Sequence, residues 1–267
     1  MDILKRIQND YLFLSPQEKK VADYIMRFSS EIKNMNIKDF SLKTGTSTAT
    51  VTRFAKKIDC KNFSDMKFQI NSLSVPKVQF QTKGISEDVF NYYQMVIKNT
   101  QSLIEMNKLE TFIRFLLEAN QIIIIGLNSS GTTASTFSNR LMRMGLPVVS
   151  YVDSIDMVMR GSIASKSDLF VAISNSGTTE CVLDSFKQAK KNGSILTSIT
   201  NFSENPLAAL SNLDLYVYST KFIDNQKFIN SQFSMVYLID VITTLLLGNK
   251  ELHEKFTQTR ETILDNY

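Results

Sequence analysis

The sequence predicts an α/β chain in two parts: an N-terminal all-α helix-turn-helix bundle, followed by a doubly wound parallel-sheet domain. Three observations carry this reading. Up to about residue 70, apolar residues recur at helical spacing, with Ser, Pro and Gly at the helix ends. From Gln121 the pattern changes to short apolar β-branched runs alternating with amphipathic helices, as in a parallel sheet covered on both faces. The charge divides in the same way. Residues 1–80 carry 14 Lys+Arg against 8 Asp+Glu, a net +6; residues 81–267 carry 16 against 18, a net −2. A basic head on a mildly acidic remainder implies that the head faces an anionic partner.

Each element has its own signal. Ser15-Pro16 opens a helix with Glu18 placed as in a capping box, and Val21, Ile25 and Phe28 follow at helical spacing. Residues 37–44 form a second short helix ended by Gly45. Ser47 caps a third over 48–58, whose apolar side is Val51, Phe54, Ala55 and Ile58. Residues 63–73 make a fourth. The stretch 74–84, with Pro76 and no clear period, is the best boundary. Residues 87–106 and 108–119 read as helices leading into the second domain. Strands are expected at 121–125, 147–152, 168–174, 195–200 and 213–219, and helices at 130–144, 179–192 and 232–247. The division expected is 1–75 for the head, 76–108 for a linker and connecting helix, and 109–267 for the sheet domain.

At 267 residues, with 43% apolar and 21% charged side chains, the chain has the composition of one large or two compact globular domains. No apolar run comes near the roughly 18 residues of a membrane span, and no apolar stretch follows the charged start as in a secretory signal. Cys60 and Cys181 lie far apart without metal-ligand spacing, and His253 is the single histidine. A disulfide framework and a zinc site are not expected, histidine-pair chemistry is excluded, and a cytoplasmic protein without cofactor or metal is expected.

The first chemical constellation is the pair of short helices around Gly45. A helix-turn-helix buries one side of its second helix and offers the other to the major groove. Ser47, Thr48, Thr50, Thr52, Arg53, Lys56 and Lys57 are the candidate DNA contacts, because hydroxyls and cations suit phosphate oxygens and base edges. Leu14-Ser15-Pro16-Gln17-Glu18-Lys19-Lys20-Val21-Ala22, Ile37-Lys38-Asp39-Phe40 and Gly45-Thr46-Ser47-Thr48-Ala49-Thr50-Val51-Thr52-Arg53-Phe54 closely resemble the N-terminal domain of RpiR-family transcriptional regulators. Asp59 stands where that family usually has a glycine, and Thr46 where an aliphatic residue is common.

The second constellation is a pair of loops at strand ends: Gly126-Leu127-Asn128-Ser129-Ser130-Gly131, and Ser174-Asn175-Ser176-Gly177-Thr178-Thr179-Glu180. Each runs into a helix. The free N–H groups and partial positive charge of a helix start attract an oxyanion, and hydroxyls add donors without charge. Neither loop has the Gly-Lys-Ser/Thr ending of a nucleotide P-loop, and no GxGxxG is present. The bland reading of one such loop is a capped helix; two on neighbouring strands favour a ligand site. Residues 120–247 resemble the SIS (sugar isomerase) domain, a phosphosugar-binding module, most specifically at 174–180. The resemblance assigns Ser129, Ser130, Ser174, Asn175, Ser176 and Thr179 to the phosphate, with Glu180 and Ser231 beside them. Asn128 replaces a common glycine, and Ser231-Gln232 sits where RpiR-type regulators often show Ser-Arg.

The two resemblances in this order imply a DNA-binding transcriptional regulator of sugar metabolism, whose operator affinity responds to a bound phosphorylated sugar. Its expected partners are operator DNA, the phosphosugar and further copies of itself, as homodimer or tetramer, with no membrane. The rival reading is an SIS-type phosphosugar isomerase, for which Glu180 is the candidate base near the loops. A third is an architectural DNA-binding protein with a vestigial pocket. Cys181 and His253 read as a buried small residue and a solvated surface residue.

Overall fold

The computed structural model describes the chain except for residues 1–2, 29–31, 33–34, 73–83, 202–204, 219–229 and 267. Most of the expected boundary at 74–84, and the last residue of the expected strand 213–219, lie outside the described residues. The chain divides into two compact units, Met1–Val89 with Lys221–Ile229, and Phe90–Thr220 with Asn230–Tyr267.

The first unit contains α1 (Ile3–Asp10), a 3-10 turn (Tyr11–Phe13), α2 (Pro16–Phe28), α3 (Ile37–Thr44), α4 (Thr48–Lys57) and α5 (Phe63–Ser72). The helix starts follow the local chemistry. The Ser15 amide donates to Glu18 Oε2 at 2.8 Å and the Glu18 amide to Ser15 Oγ at 3.4 Å, a reciprocal capping box with Pro16 at the first helical position. Asn36 accepts from the Lys38 and Asp39 amides at the start of α3, and Ser47 from the Thr50 amide at the start of α4. Gly45 closes α3 at φ 61°, where a side chain would be strained. Val21, Ile25, Phe40, Val51, Phe54, Ile58 and Met66 form the interior, each fully buried. A buried side chain of this kind contributes roughly 1.5–3 kcal/mol, as an upper estimate. Helix α1 has no counterpart among the helices expected from the sequence.

Helix α6 (Ile85–Gln101) runs across the division, and its residues from Phe90 onward belong to the second unit with α7 (Met106–Glu118). Residues 90–108, expected to be connector, thus group with the sheet: Val96 and Thr100 are fully buried, and Thr100 Oγ1 accepts from the Tyr218 amide at 3.4 Å. Then follow β1 (Gln121–Ile125), α8 (Ser129–Arg143), β2 (Val148–Tyr151), α9 (Ser154–Ser162), β3 (Asp168–Ser174) and α10 (Glu180–Lys191). The unit ends with β4 (Ile195–Asn201), α11 (Pro206–Leu210), β5 (Leu213–Val217), α12 (Phe233–Leu246) and α13 (Lys250–Asn266). The expected strands 121–125 and 168–174 match β1 and β3 residue for residue.

All strands are parallel, in the order β2-β1-β3-β4-β5, with Ile125 beside Tyr151 on one side and Ala172 on the other. Alternate side chains build two cores. Ile122, Ile124, Leu169, Val171, Ile173 and Ile199 meet α7, α8 and α12. Ile123, Ile125, Phe170, Ala172 and Leu196 meet α9, α10 and α11 on the opposite face. The sheet is therefore doubly wound as expected. Between β1 and β3 the strand order reverses direction. That opens a crevice at their carboxyl ends, the ligand position of open α/β sheets.

Candidate functional site

In the first unit, α4 packs Val51, Phe54 and Ala55 inward against α2 and α3 and leaves Thr48, Ala49, Arg53 and Lys56 exposed, with Thr52 half-buried beside them. These positions, three and four apart, form one continuous face. Of the other expected contacts, Thr50 is not on it, and Lys57, exposed four residues beyond Arg53, is held at its edge. Thr50 is 5% exposed, and its hydroxyl sits 2.9 Å from Ser47 Oγ, so it serves the turn. Lys57 Nζ donates to the Phe13 carbonyl at 2.7 Å and lies 3.1 Å from Glu18 Oε2, tying α4 back to α2. Burial pushes the Glu18 carboxyl up, but the Ser15 amide and hydroxyl and the Lys57 ammonium outweigh it and hold it below its ordinary value. Ser47 is exposed and caps the helix. Threonine suits either side of a helix, and the Lys57 pairing spans 39 residues, so neither outcome has a local signal.

Asp59, just past α4, has φ 58°, and Asn128, just before α8, has φ 53°. Both stand where the resemblance places a glycine, and the left-handed backbone is the reason glycine suits them.

In the second unit the two serine loops meet at the β1/β3 crevice. Gly126 ends β1 under the first turn of α8: a Cβ there would lie 2.6 Å from the Ser130 carbonyl oxygen, so the backbones approach only because it is glycine. In the other loop Ser174 Oγ accepts from the Gly177 amide at 3.2 Å and lies 3.3 Å from Thr179 Oγ1. Ser176 Oγ accepts from the Thr178 amide at 3.3 Å and from its hydroxyl at 2.9 Å. Asn205 braces the loop from α11. It donates to Thr200 Oγ1 at 3.1 Å, while the Leu207 amide donates to the Gly177 carbonyl at 3.1 Å. Gly177, at φ 62°, leaves no room for a Cβ against the Asn205 side chain.

The helix starts here are open. Asn128, Thr179 and Gln232 stand at the N-caps of α8, α10 and α12, and none makes a side-chain capping bond. Gln232 joins the first and third of these starts: it is 5% exposed, and its Oε1 accepts from Ser130 Oγ at 3.4 Å and Thr133 Oγ1 at 3.3 Å. Ser231 Oγ accepts from Gln232 Nε2 at 3.4 Å. Asn175 Oδ1 is buried without a hydrogen-bond partner among the described residues. Ser129 and Glu180 are exposed, and Ser130 is buried. A cavity of about 10 Å³ lies at Lys108, Asp214 and Tyr216, by β5, and not at these loops.

The rest of the chemistry is plain. His253 is exposed on α13, Cys181 is half-buried in the first turn of α10, and burial pushes the Cys60 thiol up to about 11. Among the described residues no group of three or more His, Cys, Asp or Glu could hold a metal ion. No single described helix is long and apolar enough to cross a membrane.

A helix-turn-helix with a cationic outer face, followed by a parallel sheet with open helix starts at its switch point, defines a class: a DNA-binding regulator with a ligand-sensing domain. The comparisons agree. The rpiR-family helix-turn-helix domain matches residues 1–74, and the SIS domain matches residues 115–245. An HTH-type transcriptional regulator of Clostridium perfringens is 29% identical over the full length of both chains. The HTH-type transcriptional regulator HexR of Escherichia coli is 24% identical over 91% of this chain and 87% of its own. The Vibrio vulnificus NanR protein, solved in complex with ManNAc-6P, is 26% identical with a TM-score of 0.68, covering 99% of both chains. The chain thus carries an rpiR-family helix-turn-helix domain and a SIS domain, in that order.

Proposed function

We propose that this regulator binds operator DNA through Ser47, Thr48, Thr52, Arg53 and Lys56, and a phosphorylated sugar through the two serine loops, the sugar changing its affinity for the operator. The observation that carries the ligand site is the set of three helix starts without side-chain caps, α8, α10 and α12, around loops rich in hydroxyls. Helix α7 also lacks a side-chain cap, but no serine loop adjoins it. Open N–H groups with uncharged hydroxyls suit a phosphate ester. Ser129, Ser130, Ser174, Ser176 and Thr179 take the phosphate, and the unpartnered Asn175 Oδ1 accepts from a sugar hydroxyl. Ser231 stands at the rim beside Gln232. The NanR structure with a sugar phosphate supports the ligand class.

We assign the chain no catalysis. Glu180 is exposed in the first turn of α10, where the helix dipole favours an acidic side chain without any catalytic role, and His253 lies far along the sequence on α13. The operator places the protein in the cytoplasm, and its two half-sites call for at least a homodimer. The test titrates the purified protein against DNA from its own upstream region and a scrambled control, with and without a panel of sugar phosphates. Sequence-selective binding that one sugar phosphate shifts is the expected result. Weak binding to both DNAs, unmoved by any sugar, or turnover of a sugar phosphate, overturns the proposal.

A further inference from the structure

Phe13 is held out of the core beside the outer face of α4. Its turn is fixed on either side. Tyr11 is 3% exposed and its hydroxyl donates to Asp23 Oδ1 at 2.7 Å. Leu14 is 5% exposed and its amide donates to the Tyr11 carbonyl at 3.2 Å. Between these anchors Phe13 is 78% exposed. Its backbone is pinned from α4 as well, because Lys57 Nζ donates to the Phe13 carbonyl at 2.7 Å. Lys57 lies one turn beyond Arg53, so Phe13 stands at the C-terminal edge of the Thr48, Arg53 and Lys56 face. A rigid turn that presents an aromatic side chain to water suits it to an apolar feature of a partner.

The surroundings say which partner. Within residues 11–22 Glu18 is the one acidic residue, and its carboxylate already holds the Ser15 amide and the Lys57 ammonium. Arg53 and Lys56 are exposed along the same face. An apolar ring on a cationic rim fits a polyanion whose charges flank apolar groups. Duplex DNA offers that arrangement in its major groove, where the C5-methyl group of thymine is the apolar feature.

We propose that Phe13 extends the α4 interface and reads sequence by packing on the C5-methyl group of a thymine at the edge of the operator half-site. Arg53 and Lys56 take phosphates or base edges, and Phe13 adds a contact that depends on sequence and carries no charge. Lys57 acts on it as a positioning residue, through the Phe13 carbonyl.

The proposal rests on the reading that the outer face of α4 meets the operator, and Arg53→Ala and Lys56→Ala report on that reading separately. Binding of the full chain to the duplex from its own upstream region is followed by fluorescence anisotropy across a salt series. Phe13→Ala should weaken binding about 5- to 10-fold at every salt concentration with an unchanged salt slope, because the ring releases no counterion. Lys56→Ala should instead reduce the slope by about 1. Melting of Phe13→Ala should match wild type, since the lost ring is exposed. Deoxyuridine placed for thymine, one position at a time, removes single methyl groups. One such position should cost the wild-type chain about 3-fold and cost Phe13→Ala nothing. The chain contains no tryptophan, so Phe13→Trp supplies a lone fluorophore whose emission should change with the operator and not with a scrambled duplex. If Arg53→Ala and Lys56→Ala weaken binding while Phe13→Ala binds like wild type, the Phe13 contact is refuted and the α4 reading stands. A Phe13→Ala loss that no deoxyuridine position shares would overturn thymine as its partner. If none of the three variants changes binding, the α4 reading falls and the Phe13 contact with it.

Discussion

The head and the sheet domain treat their helix starts in opposite ways. In the head, α2, α3 and α4 each begin under a side chain, Ser15 with Glu18, Asn36 and Ser47, so the first amides are already satisfied. In the sheet domain α9 and α11 are closed in the same manner by Asp153 and Asn205, but α8, α10 and α12 are not. A capped start contributes about 1 kcal/mol to stability, and leaving three starts open forgoes that. The difference teaches how one chain reads two anions. The head is closed along its backbone and meets DNA phosphates with long cationic side chains. The sheet domain keeps backbone donors free for a small phosphate ester.

That contrast can be broken most sharply at Gly177. Gly177→Ala places a Cβ against Asn205 in a left-handed turn, a strain of order 1–3 kcal/mol concentrated in the loop. Sugar-phosphate affinity should fall about 10- to 100-fold by isothermal titration, with operator affinity in the absence of sugar unchanged. Arg53→Ala tests the other half. A base or phosphate contact from this face is worth about 1–3 kcal/mol, so operator binding in a mobility-shift assay should weaken about 5- to 100-fold, with sugar-phosphate binding intact. If either variant moves both affinities alike, the two anion sites are not separate. The smallest effect is a gain. Asp59→Gly relieves a non-glycine residue at φ 58° and should raise stability by up to about 1 kcal/mol, or a few degrees in the melting temperature. An unchanged or lower melting temperature would mean that the Asp59 side chain repays its strain elsewhere.

The core strands were legible because β1 and β3 are apolar on both faces and bounded by polar or glycine residues, which leaves no competing period. Helix α9 was not legible. At nine residues, Ser154–Ser162, it gives too short a stretch of pattern between two strands to stand out as a helix. Helix α13 was missed because it is mostly polar, with Leu252 buried and Phe256 half-buried against the core. At the site, the Ser/Gly composition showed the two loops, whereas the Gln232 bridge to Ser130 spans 102 residues and no local pattern encodes it. The inward turn of Thr50 was hidden because the buried set of α4 is defined by its neighbours on α2 and α3, not by its own residues.

That the serine loops hold no lysine or arginine has a consequence for ionic strength. Among the described residues no Lys or Arg side chain bonds to Ser129, Ser130 or residues 174–180; their partners are hydroxyls, amides and the Gln232 side chain. In the proposed binding modes, such donors displace few condensed counterions, whereas each DNA phosphate neutralised by Arg53 or Lys56 releases nearly one. On that proposal, a rise in salt loosens the grip on the operator while leaving the reading of the sugar nearly untouched. The same proposal expects the threshold of gene control to shift with salt while the calibration to the sugar holds.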